Sequence, residues 1–342
     1  MAKAKKFGTF GGVFTPSILT IVGVILYLRL PWIVGQAGLW ATLGIVLIAH
    51  IISISTGLSV SSVATDKKVG VGGGYYIISR SLGLPIGGTM GLALFVGFSF
   101  SISLYLIGFS ETFLSYFGFE VSLQTIRLVG SITLFLVAAI TFISTSLAIK
   151  SQYFILTIIG LSLLSIFIGN HDFTPSVPVL ESMDGALPWI TLFAIFFPAA
   201  TGFMAGVSMS GDLRDARKSI PVGTIAAIVV GLMIYVGLVF FLAFTIDRES
   251  LVNNPDILFD ASWLPQLVVA GILGATLSSA LGSILGAPRI LQAVAIDRII
   301  PRFFAKGYGA SNEPRNALLL TYLIAQAGIL IGELNVIARI VS

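Results

Sequence analysis

Thr20-Ile21-Val22-Gly23 and Pro198-Ala199-Ala200-Thr201-Gly202 each interrupt a long apolar run, and their reading decides the fold. A bilayer-crossing helix takes about 20 apolar residues, and each of these runs is that long. Glycine lets the backbone leave the helix, and proline removes a donor and breaks the ladder. The two interruptions fall in spans 1 and 6, the offset that a five-plus-five repeat requires. Interrupted hydrophobic segments at corresponding positions of two halves point to an inverted-repeat transporter with a site at the bilayer midplane. The alternative is that Pro and Gly are simply common in membrane helices. Spacing alone favours the transporter without excluding that alternative.

Working outward, the same ruler gives spans near 13–35, 39–64, 86–116, 124–147, 151–169, 187–208, 220–246, 264–296 and 316–333, with 335–342 opening a tenth. The composition agrees. Charged residues make up 10% of the 342, against about 25% in a soluble protein, and 56% are hydrophobic. A soluble globule could not cover that much apolar surface, and disorder needs the opposite balance. The absence of cysteine removes disulfides, zinc–thiolate sites and thiol catalysis. Two histidines, His50 and His171, do not make a histidine metal site.

The net charge of +4 reads as topology rather than affinity for nucleic acid, because Lys and Arg gather in cytoplasmic loops. With the N-terminus inside, the stretches 1–12, 65–85, 148–150, 209–219 and 297–315 hold 14 of the 19 basic residues. The opposite loops, 170–186 and 247–263, carry seven acids, Asp172 and Asp256 among them, against Arg248 alone. The sequence divides into a short cytoplasmic N-terminus, 1–12, and a transmembrane transport domain, 13–342. No signal peptide is visible.

Little charge enters the membrane core. Arg29 and Glu111 lie near the outer ends of spans 1 and 3, and at such depth pairing is expected; independent snorkelling to the interface is the alternative. No acid lies at the midplane, which argues against a carboxylate proton relay. Ions would then be held by dipoles: freed carbonyls for cations, half-helix N–H groups for anions. Thr201 and Tyr105 add hydroxyls. Ser278 and Ser279 add two more, although taken alone they read as small residues that let helices pack closely. The glycine-rich run 69–75 has no preceding strand and no following lysine–serine pair, so it reads as a flexible joint rather than a phosphate loop. No nucleophile–base pair or metal constellation suggests an enzyme.

GVILYLRLPWIVGQAG (23–38), GGGYYIISRSLG (72–83), YLIGFSET (105–112), FFPAATGFMAG (196–206), SGDLRDARKSIP (210–221) and ATLSSALGSILGAPRILQA (275–293) resemble the cation–chloride cotransporter family. So do AKGYG (305–309), NEP (312–314) and ELNVIA (333–338). The resemblance runs from about residue 12 to the end. It implies an all-α polytopic membrane protein with the five-plus-five inverted-repeat transporter fold, helices 1 and 6 broken. The family has twelve spans, so the second repeat is expected to be incomplete, and the family's regulatory N-terminus and cytoplasmic C-terminal domain have no counterpart.

The resemblance also implies roles. Potassium would be held by the carbonyls of Thr20, Ile21 and Pro198, the Thr201 hydroxyl and the Tyr105 phenol. One chloride would lie on the amides of Gly23, Val24 and Ile25, and a second on those of Gly202, Phe203 and Met204. Sodium would take the carbonyls of Leu19, Val22 and Ala275 with the hydroxyls of Ser278 and Ser279. Arg29 and Glu111 would form an outer gate. The serine pair and Tyr105 together imply symport of Na⁺, K⁺ and Cl⁻ across the plasma membrane, with no cofactor besides the transported ions. An amino-acid permease of the same fold and a non-transporting membrane protein remain as alternatives. The family has an asparagine where Thr20 stands and reads NVIAP where this chain reads Asn335-Val-Ile-Ala-Arg339. The expected partners are the lipid bilayer, inorganic ions and, as an open alternative, a second copy in a homodimer; nucleic acid is not one.

Overall fold

The computed structural model describes residues 7–66, 72–143, 145–169, 177–208, 210, 213–309 and 312–342. Lys3, Lys5, Lys6, Lys67, Lys68, His171 and Asp172 lie outside them. A π-helical turn, Phe10–Phe14, runs into α1 (Thr15–Ile21), and after a two-residue break α2 (Val24–Leu28) continues the span. Then come α3 (Leu30–Asp66), the short α4 (Gly74–Leu82), α5 (Leu84–Tyr116), α6 (Leu123–Ile143) and α7 (Thr145–Phe167). The second half repeats the plan with α8 (Trp189–Thr201), α9 (Met204–Ser208) and α10 (Ala216–Thr245). Two short helices, α11 (Arg248–Asn253) and α12 (Ile257–Asp260), lead to α13 (Pro265–Ile296), α14 (Arg315–Ile331) and α15 (Leu334–Val341).

Local chemistry sets the boundaries. Pro85 and Pro265 open α5 and α13 at positions where the missing N–H costs nothing. The Asp215 and Asp247 carboxylates accept from Lys218 N and Ser250 N to cap α10 and α11. The end of span 1, from Leu30, runs on into span 2 within α3, which bends at Gly38, whose φ of +71° suits glycine. The sequence boundary between those spans therefore appears as a kink rather than a loop.

Among the described residues, six helical stretches are long and apolar enough to cross a membrane, and three shorter apolar helices lie at Gln152–Phe167, Trp189–Thr201 and Arg315–Ile331. The protein is a multi-pass membrane protein. Its packing has the symmetry of the broken pair: α3 lies along α10, and α5 lies along α13. The first span is 94% buried over its most apolar window, against 33% for α6. A helix apolar all round belongs in the centre, and this one carries the break.

The glycine-rich run departs from expectation. Its part within the described residues is close-packed: Gly73 has φ +50°, and a Cβ there would meet the Ser208 Cα at 2.7 Å. The turn is wedged against α9 and opens α4, so it is a fixed corner and not a flexible joint.

Candidate functional site

The two breaks meet. α1 ends at Ile21 and α8 at Thr201, so both half-helices point carbonyl ends toward the same region. A Cβ on Gly202 would lie 2.8 Å from the Thr20 carbonyl carbon and 2.9 Å from the Ile21 nitrogen. Only a residue without a side chain allows the breaks to approach so closely.

Beside that contact lies a small cavity, with about 10 Å³ of free space, lined by Thr20, Ile21, Gly23, Val24, Ile25, Leu104, Tyr105, Pro198 and Ala199. Both α1 and α8 contribute C-terminal ends to it, and α2 contributes its first turn. Tyr105 is buried, 7% exposed. Of the residues assigned to potassium, Thr20, Ile21, Tyr105 and Pro198 line the cavity. Thr201 does not; its hydroxyl donates to the Pro198 carbonyl at 2.9 Å. The Thr20 hydroxyl likewise turns back to the Pro16 carbonyl, leaving its backbone for the cavity. The first chloride set, Gly23, Val24 and Ile25, lines the same space. These residues begin α2, where N–H groups lack intrahelical acceptors.

The second chloride set, Gly202, Phe203 and Met204, does not line this cavity. Gly202 and Phe203 form the turn before α9, and Met204 begins it. The Phe203 carbonyl accepts from Ser17 Oγ at 2.9 Å, tying α1 to this turn. The sodium set forms a separate cluster where α13 crosses α1. Ser279 Oγ donates to the Leu19 carbonyl at 3.2 Å. Ser278 Oγ is buried without a hydrogen-bond partner. Ala275, one turn earlier, is wholly buried, and Val22 caps α1 with non-helical torsions (φ −88°, ψ 62°).

At one end of the bundle, Arg29 Nη2 lies 3.3 Å from both Glu111 oxygens. Arg29 Nε also donates to Asn335 Oδ1 at 2.6 Å. The expected pair is thus a triad that joins the first span, α5 and α15. Asn335 escaped the sequence reading although it sits in the ELNVIA stretch. Tyr235 escaped it too, with no local signal: its hydroxyl donates to the Ile21 carbonyl at 2.7 Å from the middle of α10. The Tyr235 ring is held in turn by Phe196 and His50.

Two half-broken helices crossing at a buried cavity, within paired bundles, define the inverted-repeat transporter fold. The comparisons agree. The amino acid permease family model matches residues 12–342, and the chain belongs to that family. Within it the chain is similar to solute carrier family 12 member 2 of Homo sapiens, 35% identical over 98% of this chain and 33% of the relative. It is equally similar to solute carrier family 12 member 1 of Mus musculus, 35% identical over 100% of this chain and 37% of the relative. The resemblance to the cation–chloride cotransporters read from the motifs is thereby shown. The chain spans about a third of the length of these relatives. A solved nucleobase–cation–symport-1 family transporter, in a closed conformation with bromovinylhydantoin bound, shares the fold at TM-score 0.57 and 12% identity, covering all of this chain and 78% of that one.

Proposed function

We propose that the chain is a secondary active symporter that couples Na⁺, K⁺ and Cl⁻. The observation that carries this reading is the junction of Thr20–Ile21 with Gly202 beside the Tyr105 cavity. Two carbonyl ends and a neutral phenol suit a cation, since helix C-termini carry negative potential. α2 and α9 each begin just after a break, so each offers N–H groups to an anion. Two cations and two chlorides sum to zero charge, so the sites need no carboxylate. The unpartnered, buried Ser278 hydroxyl beside the Leu19–Ser279 bond supports sodium in the second cluster. A buried hydroxyl without a partner is costly, and a cation would use it.

The family model's description favours an amino acid as a second reading. The cavity speaks against it. With about 10 Å³ of free space it falls far below the roughly 300–1,000 Å³ of organic-ligand pockets, and the first break holds one glycine instead of two. The distribution of basic residues supports an N-terminus in the cytoplasm and the Arg29 end outside, and the relatives support a plasma-membrane location.

Thermal stability of the purified full chain tests the reading. KCl and NaCl together should raise the melting temperature more than either salt alone, and gluconate in place of chloride should remove the gain. Stabilisation by leucine or arginine, with no response to these ions, would favour the amino-acid reading.

A further inference from the structure

Two glycines of α13 set the register in which it packs against α7. A Cβ on Gly271 would meet Ser162 Oγ at 2.5 Å, and one on Gly274 would meet Ile155 Cγ2 at 3.3 Å. The two helices therefore run antiparallel. One turn further along the same faces, Gln152 of α7 comes opposite Ser278 of α13. Gln152 is 5% exposed, and its Oε1 has no hydrogen-bond partner. Ser278 Oγ, across the seam, has none either. Ser162, on the same face of α7, is satisfied: its Oγ shares a hydrogen bond with the Tyr27 hydroxyl and donates to the Ile159 carbonyl. Among the described residues nine buried side-chain atoms lack a partner, and Thr15, Gln152, Ser278 and Ser283 supply four of them. Unmade bonds are thus concentrated in α1, α7 and α13, three helices that pack on one another.

We propose, resting on the sodium assignment above, that the Gln152 amide oxygen is a further ligand of that sodium and closes its site on the α7 side. The residues assigned to sodium come from α1 and its cap and from α13, and α7 packs against both helices. An additional ligand can therefore approach from α7. An amide carbonyl is a neutral oxygen with two lone pairs, a type of ligand that hard cations take. A hydrogen bond from Ser278 to Gln152 would occupy both atoms, and the structure does not make it. Leaving both oxygens open costs stability, and a cation shared between them offsets that cost.

The sodium concentration for half-maximal thermal stabilisation of the full chain tests the proposal, at constant KCl and with N-methylglucamine chloride balancing the ionic strength. Gln152→Met keeps the reach of the side chain and replaces the amide with a soft sulfur that sodium does not favour. It should raise the sodium midpoint about tenfold and leave the potassium midpoint unchanged. A glutamine that only packs would lower the melting temperature equally at every sodium concentration, and an unshifted sodium midpoint overturns the proposal. If Gln152→Met does not fold, Gln152→Glu keeps the shape and offers a carboxylate in place of the amide. It should lower the sodium midpoint in mildly alkaline buffer and lose that advantage on acidification; a midpoint equal to the parent's in both buffers overturns the proposal. A parent whose stability ignores sodium would overturn the sodium reading and this ligand with it. A parent that responds, with variants that match it, removes Gln152 alone.

Discussion

Tyr105 and the serine pair make separable contributions at the residue scale. Phenylalanine at 105 keeps the shape of the cavity wall and removes one oxygen. Losing one ligand of a bound cation costs on the order of 1–3 kcal/mol, so Tyr105→Phe should raise the potassium concentration for half-maximal stabilisation about tenfold or more. An unchanged midpoint would take Tyr105 out of the site. The serines should differ from each other. Ser278 Oγ has no partner, so Ser278→Ala should leave the melting temperature without ions unchanged or slightly higher while abolishing the sodium response. Ser279 donates to the Leu19 carbonyl, and Ser279→Ala should cost about 1 kcal/mol even in the absence of sodium. Thermal melts with and without sodium measure both. A sodium response unchanged in both variants would mean that both serines are packing residues.

The elements matter through their broken ends. Gly202→Ala would place a methyl 2.8 Å from Thr20 backbone, which cannot swing aside. It should destabilise the protein by about 1–3 kcal/mol, as overpacking does. Tyr235→Phe should cost a similar amount by leaving the Ile21 carbonyl without its donor, and hydrogen exchange at the end of α1 should rise; unaltered exchange would show that Tyr235 does not hold the break. The breaks themselves could be read from Gly23, Pro198 and Gly202, because backbone freedom is a local property of those residues. Span limits were legible for the same reason, as runs of apolar side chains. Tyr235 and Asn335 were not, since they meet Ile21 and Arg29 across 214 and 306 residues of chain. The turn at Gly72–Gly73 misled because glycine serves both flexible joints and tight packing, and only the neighbours, here Ser208 and Ala293, distinguish them.

The whole molecule is tied at both ends in the same structure. At one end, Arg29 holds Glu111 and Asn335. At the other, the Tyr75 hydroxyl donates to Asp297 at 2.6 Å and Arg80 pairs with Asp297 at 2.8 Å, binding α4 to the end of α13. Partial burial opposes ionisation of Asp297, but the hydrogen bonds from Tyr75 and Arg80 outweigh it and hold the carboxyl below the usual carboxylate range. A depressed folded value means that this tie contributes stability above the unfolded carboxylate value and loses it as pH falls through the folded value. Hydrogen exchange in α4 should therefore quicken on acidification below about pH 4, and Asp297→Asn should remove that pH dependence. An Asn variant with the parental profile would place the titration elsewhere. The Arg29–Glu111 pair, at 16% and 21% side-chain exposure, should be worth more than the roughly 1 kcal/mol of an exposed pair and less than the 3–5 kcal/mol of breaking a buried one. Glu111→Gln should open that end, and exchanging the two charges should recover part of the lost rate, whereas strictly additive effects would show that the residues act apart.

The claim that the two breaks form one coupled ion path is tested most directly by tracer rubidium uptake into liposomes containing the full chain. Sodium and chloride are omitted in turn, for the parent and for Ser278→Ala. The account predicts uptake in the parent that requires both ions, and uptake in Ser278→Ala that no longer responds to sodium. Rubidium uptake indifferent to sodium and chloride in the parent would contradict it.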